Sequence, residues 1–136
     1  MYPEYLVTPM REDLTKVGFQ ELKSANEVDE ALALGGTALV VVNSVCGCAA
    51  ANARPAVRMA THHAKKPNHL LTVFAGMEKE AVDQARAHML PYPPSSPAIA
   101  LFKDGKLVHM IERHQIEGRT AEIIADNLTA AFDQYC

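Results

Sequence analysis

The sequence predicts an α/β fold, a mixed central β-sheet flanked by helices on both faces. Three observations carry this reading. Residues 37–42 form a continuous β-branched and aliphatic run, the pattern of a central parallel strand buried on both faces. Amphipathic helical segments alternate with short apolar runs, as βαβ units with right-handed crossovers require. Asp104-Gly105 separates two further apolar runs. That dipeptide is a strong hairpin signal, because both central residues of a type I′ turn need positive φ, and it adds an antiparallel pair.

The chain has 136 residues, the size of one domain, and no repeat or long linker divides residues 1–136. Apolar residues make up 49% and charged residues 21%, which supports a packed core and argues against disorder. The longest apolar runs, 38–42 and 98–102, are far too short to span a bilayer, so no membrane association is expected. Net charge is −3 and the 13 Lys and Arg are scattered, which argues against a nucleic-acid groove. The N-terminus has no basic start followed by an apolar stretch, so no export signal is read and a cytoplasmic location is expected. Three cysteines, an odd count, do not make a disulfide framework.

Element by element, Thr8-Pro9 is expected to open the first helix, as cap and first helical residue. Leu6, Met10, Leu14 and Val17 follow helical spacing, and Gly18 stops it. Residues 19–23 read as a short edge strand. Ser24 and Glu27 form a capping box for a second helix, whose apolar stripe is Val28, Ala31 and Leu32 and whose stop is Gly35-Gly36. After the strand at 37–42, Asn43-Ser44-Val45 turns the chain into an alanine-rich helix running to about His63. Pro55 lies inside that helix and predicts a kink. A strand at 69–75 and a helix at 78–89 follow, the latter burying Val82, Ala85 and Met89. The Pro-rich stretch 91–97 is a loop. Strands at 98–103 and 107–112 form the hairpin. Thr120 caps a last helix that turns Ile124, Leu128, Ala131 and Phe132 inward.

Cys46-Gly47-Cys48 sits where the buried strand meets a helix start, where free amides and the positive end of the helix dipole converge. A thiolate gains from both, so a pKa below the free value of about 8.5 is expected. Cys46 is the candidate nucleophile and Cys48 the resolving thiol. Gly47 permits the tight backbone that a disulfide across two residues needs. Two other roles stay open on pattern alone. The cysteines also fit small buried hydrophobes. They also fit a zinc or copper(I) site with His62, His63 or His69, although no second cysteine pair accompanies them and His62 lies more than roughly 20 Å along the helix. No Gly-rich phosphate loop, Gly-x-Ser-x-Gly or His-Glu-x-x-His is present, so no cofactor and no metal are expected.

The segments VVVNSVCGCAA (40–50), Ser95-Ser96-Pro97, RHQIEG (113–118) and NLTAAFD (127–133), with the terminal Cys136, resemble the bacilliredoxin family of thioredoxin-like proteins. The resemblance covers nearly the whole chain. It implies a thioredoxin-like fold and thiol–disulfide exchange that removes bacillithiol, a cysteine–glucosamine–malate thiol, from mixed disulfides on other proteins. It carries the nucleophile to Cys46, the second cysteine to Cys48 and the fold's cis-proline to Pro97, with the Ser96 backbone free to pair with an extended substrate. Unlike ordinary thioredoxin, the chain has no tryptophan, and Val45 precedes the nucleophile. No carboxylate lies on the strand at 39–42. The implied substrates are S-thiolated proteins and a low-molecular-weight thiol. Its carboxylates point to cations in the loop after the hairpin: Arg113, His114 and Arg119, with Arg54 a weaker candidate. The alternatives are a general protein disulfide reductase or isomerase, and a non-catalytic module whose Cys-Gly-Cys captures a metal or partner.

Overall fold

A computed structural model describes residues 1–136. The chain runs α1 (Glu4–Thr15), β1 (Gln20–Glu21), α2 (Ala25–Ala33) and β2 (Thr37–Asn43). A π-helical turn (Ala49–Ala53) then leads into α3 (Arg54–Ala60), β3 (His69–Phe74), α4 (Lys79–His88), β4 (Ala98–Lys103), β5 (Lys106–Ile111), α5 (Arg113–Ile116) and α6 (Ala121–Tyr135). The five strands form one mixed sheet in the order β1-β3-β2-β4-β5. β1 and β2 run parallel to β3, whereas β4 is antiparallel to β2 and β5.

All seven residues of β2 are buried, as its unbroken apolar run predicts for a strand covered on both faces. Each fully buried Val or Leu there contributes about 1.5–3 kcal/mol. Alternate side chains of β2 serve two cores. Leu39 and Val41 pack with Leu14 of α1, Val57 of α3 and Leu128 and Phe132 of α6. Ala38, Val40 and Val42 pack with Val28 and Leu32 of α2 and Val82 and Ala85 of α4. The β4–β5 turn takes the expected form, with φ of 51° at Asp104 and 80° at Gly105. Asp104 also ties the hairpin to the start of β2. Its Oδ1 accepts from the Gly36 amide at 2.8 Å, and its own amide donates to the Gly36 carbonyl at 2.8 Å.

Four local expectations are corrected. The first helix begins at Glu4 behind Pro3 rather than at Thr8-Pro9, so Pro9 lies inside it. Thr8 is not the cap: its hydroxyl donates back to the Glu4 carbonyl at 2.8 Å. Both Pro3 and Pro9 carry the same start signal, and Glu4 in the first turn adds an acidic residue at the positive helix end. At α2, Ser24 accepts from the Glu27 amide as expected, but Glu27 reaches back to the amide of Lys23, one residue further out. The disturbance at Pro55 is a widened π turn immediately before it, closed by the Arg54 amide on the Ala49 carbonyl. In a regular α-helix the proline ring would clash with the carbonyl four residues back, and the wider turn relieves that clash. Last, the segment after the hairpin is not all loop, because Arg113–Ile116 forms a helical turn. Its capping box pairs Glu112 with Gln115.

α1 is clamped to the sheet by one buried cation. Arg11 donates to both oxygens of Glu78 at 2.9 and 2.8 Å, to Glu4 at 3.0 Å and to Glu21 at 3.4 Å. Its guanidinium carbon lies 5.2 Å from the centre of the Phe74 ring. The Glu78 hydrogen bonds, outweighing burial, raise its pKa above the ordinary arginine value. Replacing Arg11 by Ala strands two partly buried carboxylates, Glu21 and Glu78. The expected loss is about 3–5 kcal/mol of stability in urea unfolding. Arg11→Lys is expected to recover only part of it, because an ammonium cannot bridge both Glu78 oxygens.

Candidate functional site

β2 ends at Asn43, whose side chain is buried and hydrogen-bonded through both its oxygen and its nitrogen. Its Nδ2 donates to the Met10 carbonyl of α1 at 3.1 Å. Its Oδ1 accepts from the Ser44 amide at 2.9 Å and from Arg54 Nη1 at 3.0 Å. Arg54 is 3% exposed, and the same Nη1 donates to the Ser44 carbonyl at 2.8 Å. Its Nε donates to Asp13 at 3.0 Å. Arg54 therefore points inward and fixes the turn between strand and helix, instead of offering charge to a ligand. That turn presents Ser44, whose hydroxyl donates to Cys46 Sγ at 3.2 Å and accepts from the Cys46 amide at 3.4 Å.

Cys46 Sγ and Cys48 Sγ lie 2.9 Å apart as free thiols, both half-buried. Burial pushes the Cys46 thiol up. Hydrogen bonds from the Cys48 thiol, the Ser44 hydroxyl and the Ala49 amide outweigh it, with help from the charge of Arg113, and hold Cys46 below its ordinary value. Cys48 moves the opposite way. Burial raises it first, then its hydrogen bond to Cys46 and the Cys46 charge, against a smaller lowering by Arg113. The pair thus ionises at Cys46 first. Gly47 is exposed, and a Cβ there would meet nothing within 4 Å, so the dithiol form itself makes no demand for glycine.

The Ser96–Pro97 peptide bond is cis, and so is Leu90–Pro91, which the sequence did not single out. Arg113 joins the proline loop to the thiols. Its amide donates to Ser95 Oγ at 3.4 Å, its Nη1 to the Ser96 carbonyl at 3.1 Å and its Nε to Glu117 at 3.5 Å. Both thiols raise its pKa above the ordinary value, Cys48 more than Cys46. These groups frame an open cleft of about 250 Å³. Ser44, Val45 and Cys46 line one part, Ala75 and Gly76 after β3 another, and Ser96, Arg113 and Tyr2 the rest.

Of the residues singled out in the sequence, Cys46, Ser96 and Arg113 line one cleft, Cys48 touches Cys46, and Pro97 follows Ser96 through the cis bond. His114 does not join them. The helical turn of α5 leaves its side chain 74% exposed, 4.0 Å from Glu112. Arg119 is likewise exposed, beyond α5, and Cys136 is exposed at the chain end. His63 is taken up by Asp133 at 2.8 Å. No three His, Cys, Asp or Glu side chains are grouped to share a metal ion. Sequence reasoning missed Ser44 as a partner of Cys46 and Tyr2 as a cleft residue. The Ser44 signal was present, since a hydroxyl two residues before a thiol in a turn can reach it. Tyr2 gave none, because its neighbour Gly76 is remote in sequence.

A buried strand, a pair of thiols at the following helix start and a cis Ser96–Pro97 bond whose Ser96 lines the same cleft suit thiol exchange, and comparison with known proteins agrees. A family model described as "Disulphide isomerase" matches residues 2–136. A bacilliredoxin of Cytophaga hutchinsonii is 57% identical over 98% of this chain and 99% of its own. A bacilliredoxin of Koribacter versatilis is 55% identical over 100% of this chain and 94% of its own. Among solved structures, Fasciola hepatica thioredoxin superposes with a TM-score of 0.61 at 16% identity, covering 87% of this chain and 100% of that one. An oxidoreductase with a thioredoxin fold gives 0.61 at 14% identity, covering 83% and 95%. The fold is thioredoxin-like, and the chain belongs to the bacilliredoxin family of thiol–disulfide oxidoreductases.

Proposed function

We propose that this enzyme removes a low-molecular-weight thiol of the bacillithiol type from mixed disulfides on cytoplasmic proteins. The observation that carries the reading is a half-buried thiol, Cys46, held below its ordinary pKa at the wall of an open cleft beside the Arg113 guanidinium. In the proposed exchange the Cys46 thiolate attacks the small-thiol sulfur of the mixed disulfide. A bond forms between Cys46 and that sulfur, the protein–sulfur bond breaks, and the target leaves as a thiolate that takes a proton from water. The Cys48 thiolate then attacks Cys46 Sγ, giving a Cys46–Cys48 disulfide and the free small thiol. A second small thiol can instead release it as a symmetric disulfide. Arg113 is the proposed counter-charge for a carboxylate of the small thiol. Its Nη2 makes no hydrogen bond within the chain, so one donor face is free. Ser96 is the proposed contact for the extended target chain, its amide being unbonded within the fold. Pro97 sets that loop beside Cys46.

Shuffling of protein disulfides is the second reading, favoured by the description of the matching family model. Trapping separates the two. A Cys48→Ala variant mixed with a bacillithiolated protein is expected to release the target and to hold bacillithiol on Cys46, seen by mass spectrometry. Turnover confined to scrambled protein disulfides, with no such adduct, supports the second reading. The trap belongs near pH 8, because losing the Cys48 hydrogen bond raises the Cys46 pKa.

The pH dependence has a definite sign. Because Cys46 is held low, its reactivity is high above the lowered value and falls as pH drops through it. The same depression favours the folded state above the ordinary thiol value, and that contribution is lost as pH falls through the lowered one. In Ser44→Ala the fall in Cys46 alkylation by iodoacetamide is expected at higher pH than in the wild type. The rate near neutrality should drop about tenfold for a lost charge-assisted hydrogen bond. An unchanged profile means that the Ser44 hydroxyl does not support the thiolate.

A further inference from the structure

Tyr2 precedes the first helix, yet it lines the Cys46 cleft, and the proposed function leaves it unused. Its ring rests against Gly76, which holds a φ of +90° at the end of β3's turn. A Cβ at residue 76 would lie 2.7 Å from Tyr2 Cε2 and 3.3 Å from Cδ2, so the ring takes space that any other residue would fill. Tyr2 remains 40% exposed, and none of the side-chain hydrogen bonds of the fold involves its hydroxyl. The cleft therefore has a thiol at Cys46, a guanidinium with a free Nη2 and an aromatic wall with a free hydroxyl. It is open to solvent, with a volume of about 250 Å³.

We infer that Tyr2 is a specificity-determining residue that binds the non-sulfur part of the small thiol. The groups that line the cleft select the class. An aromatic body packs on C–H surface, a phenol hydroxyl bonds to another hydroxyl, and a guanidinium takes a carboxylate. A small thiol built on a polyhydroxylated saturated ring with a carboxylate satisfies all three. Free cysteine offers a carboxylate but no ring and no hydroxyl, so it leaves Tyr2 without a partner. This inference rests on the proposed function and names what in the cleft distinguishes one small thiol from another.

The test uses the full-length enzyme and one target protein carrying either bacillithiol or cysteine in mixed disulfide. Tyr2 lies outside both large cores, so Tyr2→Ala is expected to fold, with an unchanged unfolding midpoint as the check. For the bacillithiolated target its KM should rise about tenfold with kcat nearly unchanged, while the cysteinylated target changes less than about twofold. Tyr2→Phe should restore most of the affinity, since it keeps the ring body. An equal rise for both targets assigns the ring to the protein half and overturns the inference. No change for either target also overturns it, leaving the ring only as a cover for Gly76. The wild-type enzyme reports separately on the proposed function: failure to discharge the bacillithiolated target removes that reading, whereas normal discharge with an unselective Tyr2→Ala effect removes only this one.

Discussion

The site depends on one buried guanidinium. Arg54 sits at the junction of β2 and α3, 3% exposed, with a single carboxylate partner in Asp13 and two neutral oxygens, Asn43 Oδ1 and the Ser44 carbonyl. A cation so buried is costly unless its donors find acceptors, and here Nε and Nη1 find three. Meeting them fixes the path of the chain from Asn43 to Ser44. Asn43 then has no freedom left, because its amide group also holds the Met10 carbonyl. Strand end, first helix and α3 are thus locked to each other at the point where Ser44 projects towards Cys46. The thiol is tuned at the surface by groups whose positions are set in the interior. Removing the guanidinium would loosen the turn, taking from Asp13 its 3.0 Å donor and from Asn43 Oδ1 and the Ser44 carbonyl the donor that joins them.

The rest of the fold supports this junction by keeping β2 immobile. Its side chains alternate between two apolar clusters of similar size, so neither face gains by slipping the register. At one end the paired hydrogen bonds between Gly36 and Asp104 pin it to the hairpin. At the other end sits the Arg54 network. The alanines of the π turn and α3, notably Ala53, Ala56 and Ala60, let that helical segment approach both the sheet and α6 closely. The thiols therefore stand on a rigid strand and a closely packed helix, while the cleft walls come from loops and from the N-terminal segment. Such a division holds the thiols in place while the cleft walls stay adaptable.

What was legible in the sequence follows from range. β2, β4 and the Asp104-Gly105 turn were readable because unbroken apolar runs and a dipeptide with positive φ act locally. The position of Cys46-Gly47-Cys48 after a buried strand was readable for the same reason. The first helix was misplaced because Pro3 and Pro9 offer the same start signal, and only the tertiary clamp at Arg11 shows that the helix continues through Pro9. Arg54 read as a weaker candidate for the thiol's carboxylate because the residue that accepts its charge, Asp13, lies on another helix far back in the chain. His114 was grouped with Arg113 by adjacency, and the α5 turn separates two neighbouring side chains onto different sides. Pairings across tens of residues are fixed by packing and leave no local pattern.

The asymmetry of the two thiols also orders the proposed exchange. In the dithiol form Cys48 is pushed up by burial and then by its hydrogen bond to Cys46 and the Cys46 charge. Once Cys46 carries the small thiol, it has no negative charge and no longer needs that hydrogen bond. Two of the three leading causes that keep Cys48 protonated then vanish together, and the lowering influence of Arg113 remains. Cys48 thus becomes easier to ionise only after Cys46 has reacted, when its attack is useful. Across that attack Cys46 keeps its donors from Ser44 and Ala49. Those donors stabilise the reduced thiolate over the disulfide, which makes the Cys46–Cys48 couple more oxidising and readily returned to the dithiol. In the proposed exchange the order of attack therefore rests on the Cys46–Cys48 contact, and the return to the dithiol on the Ser44 and Ala49 donors.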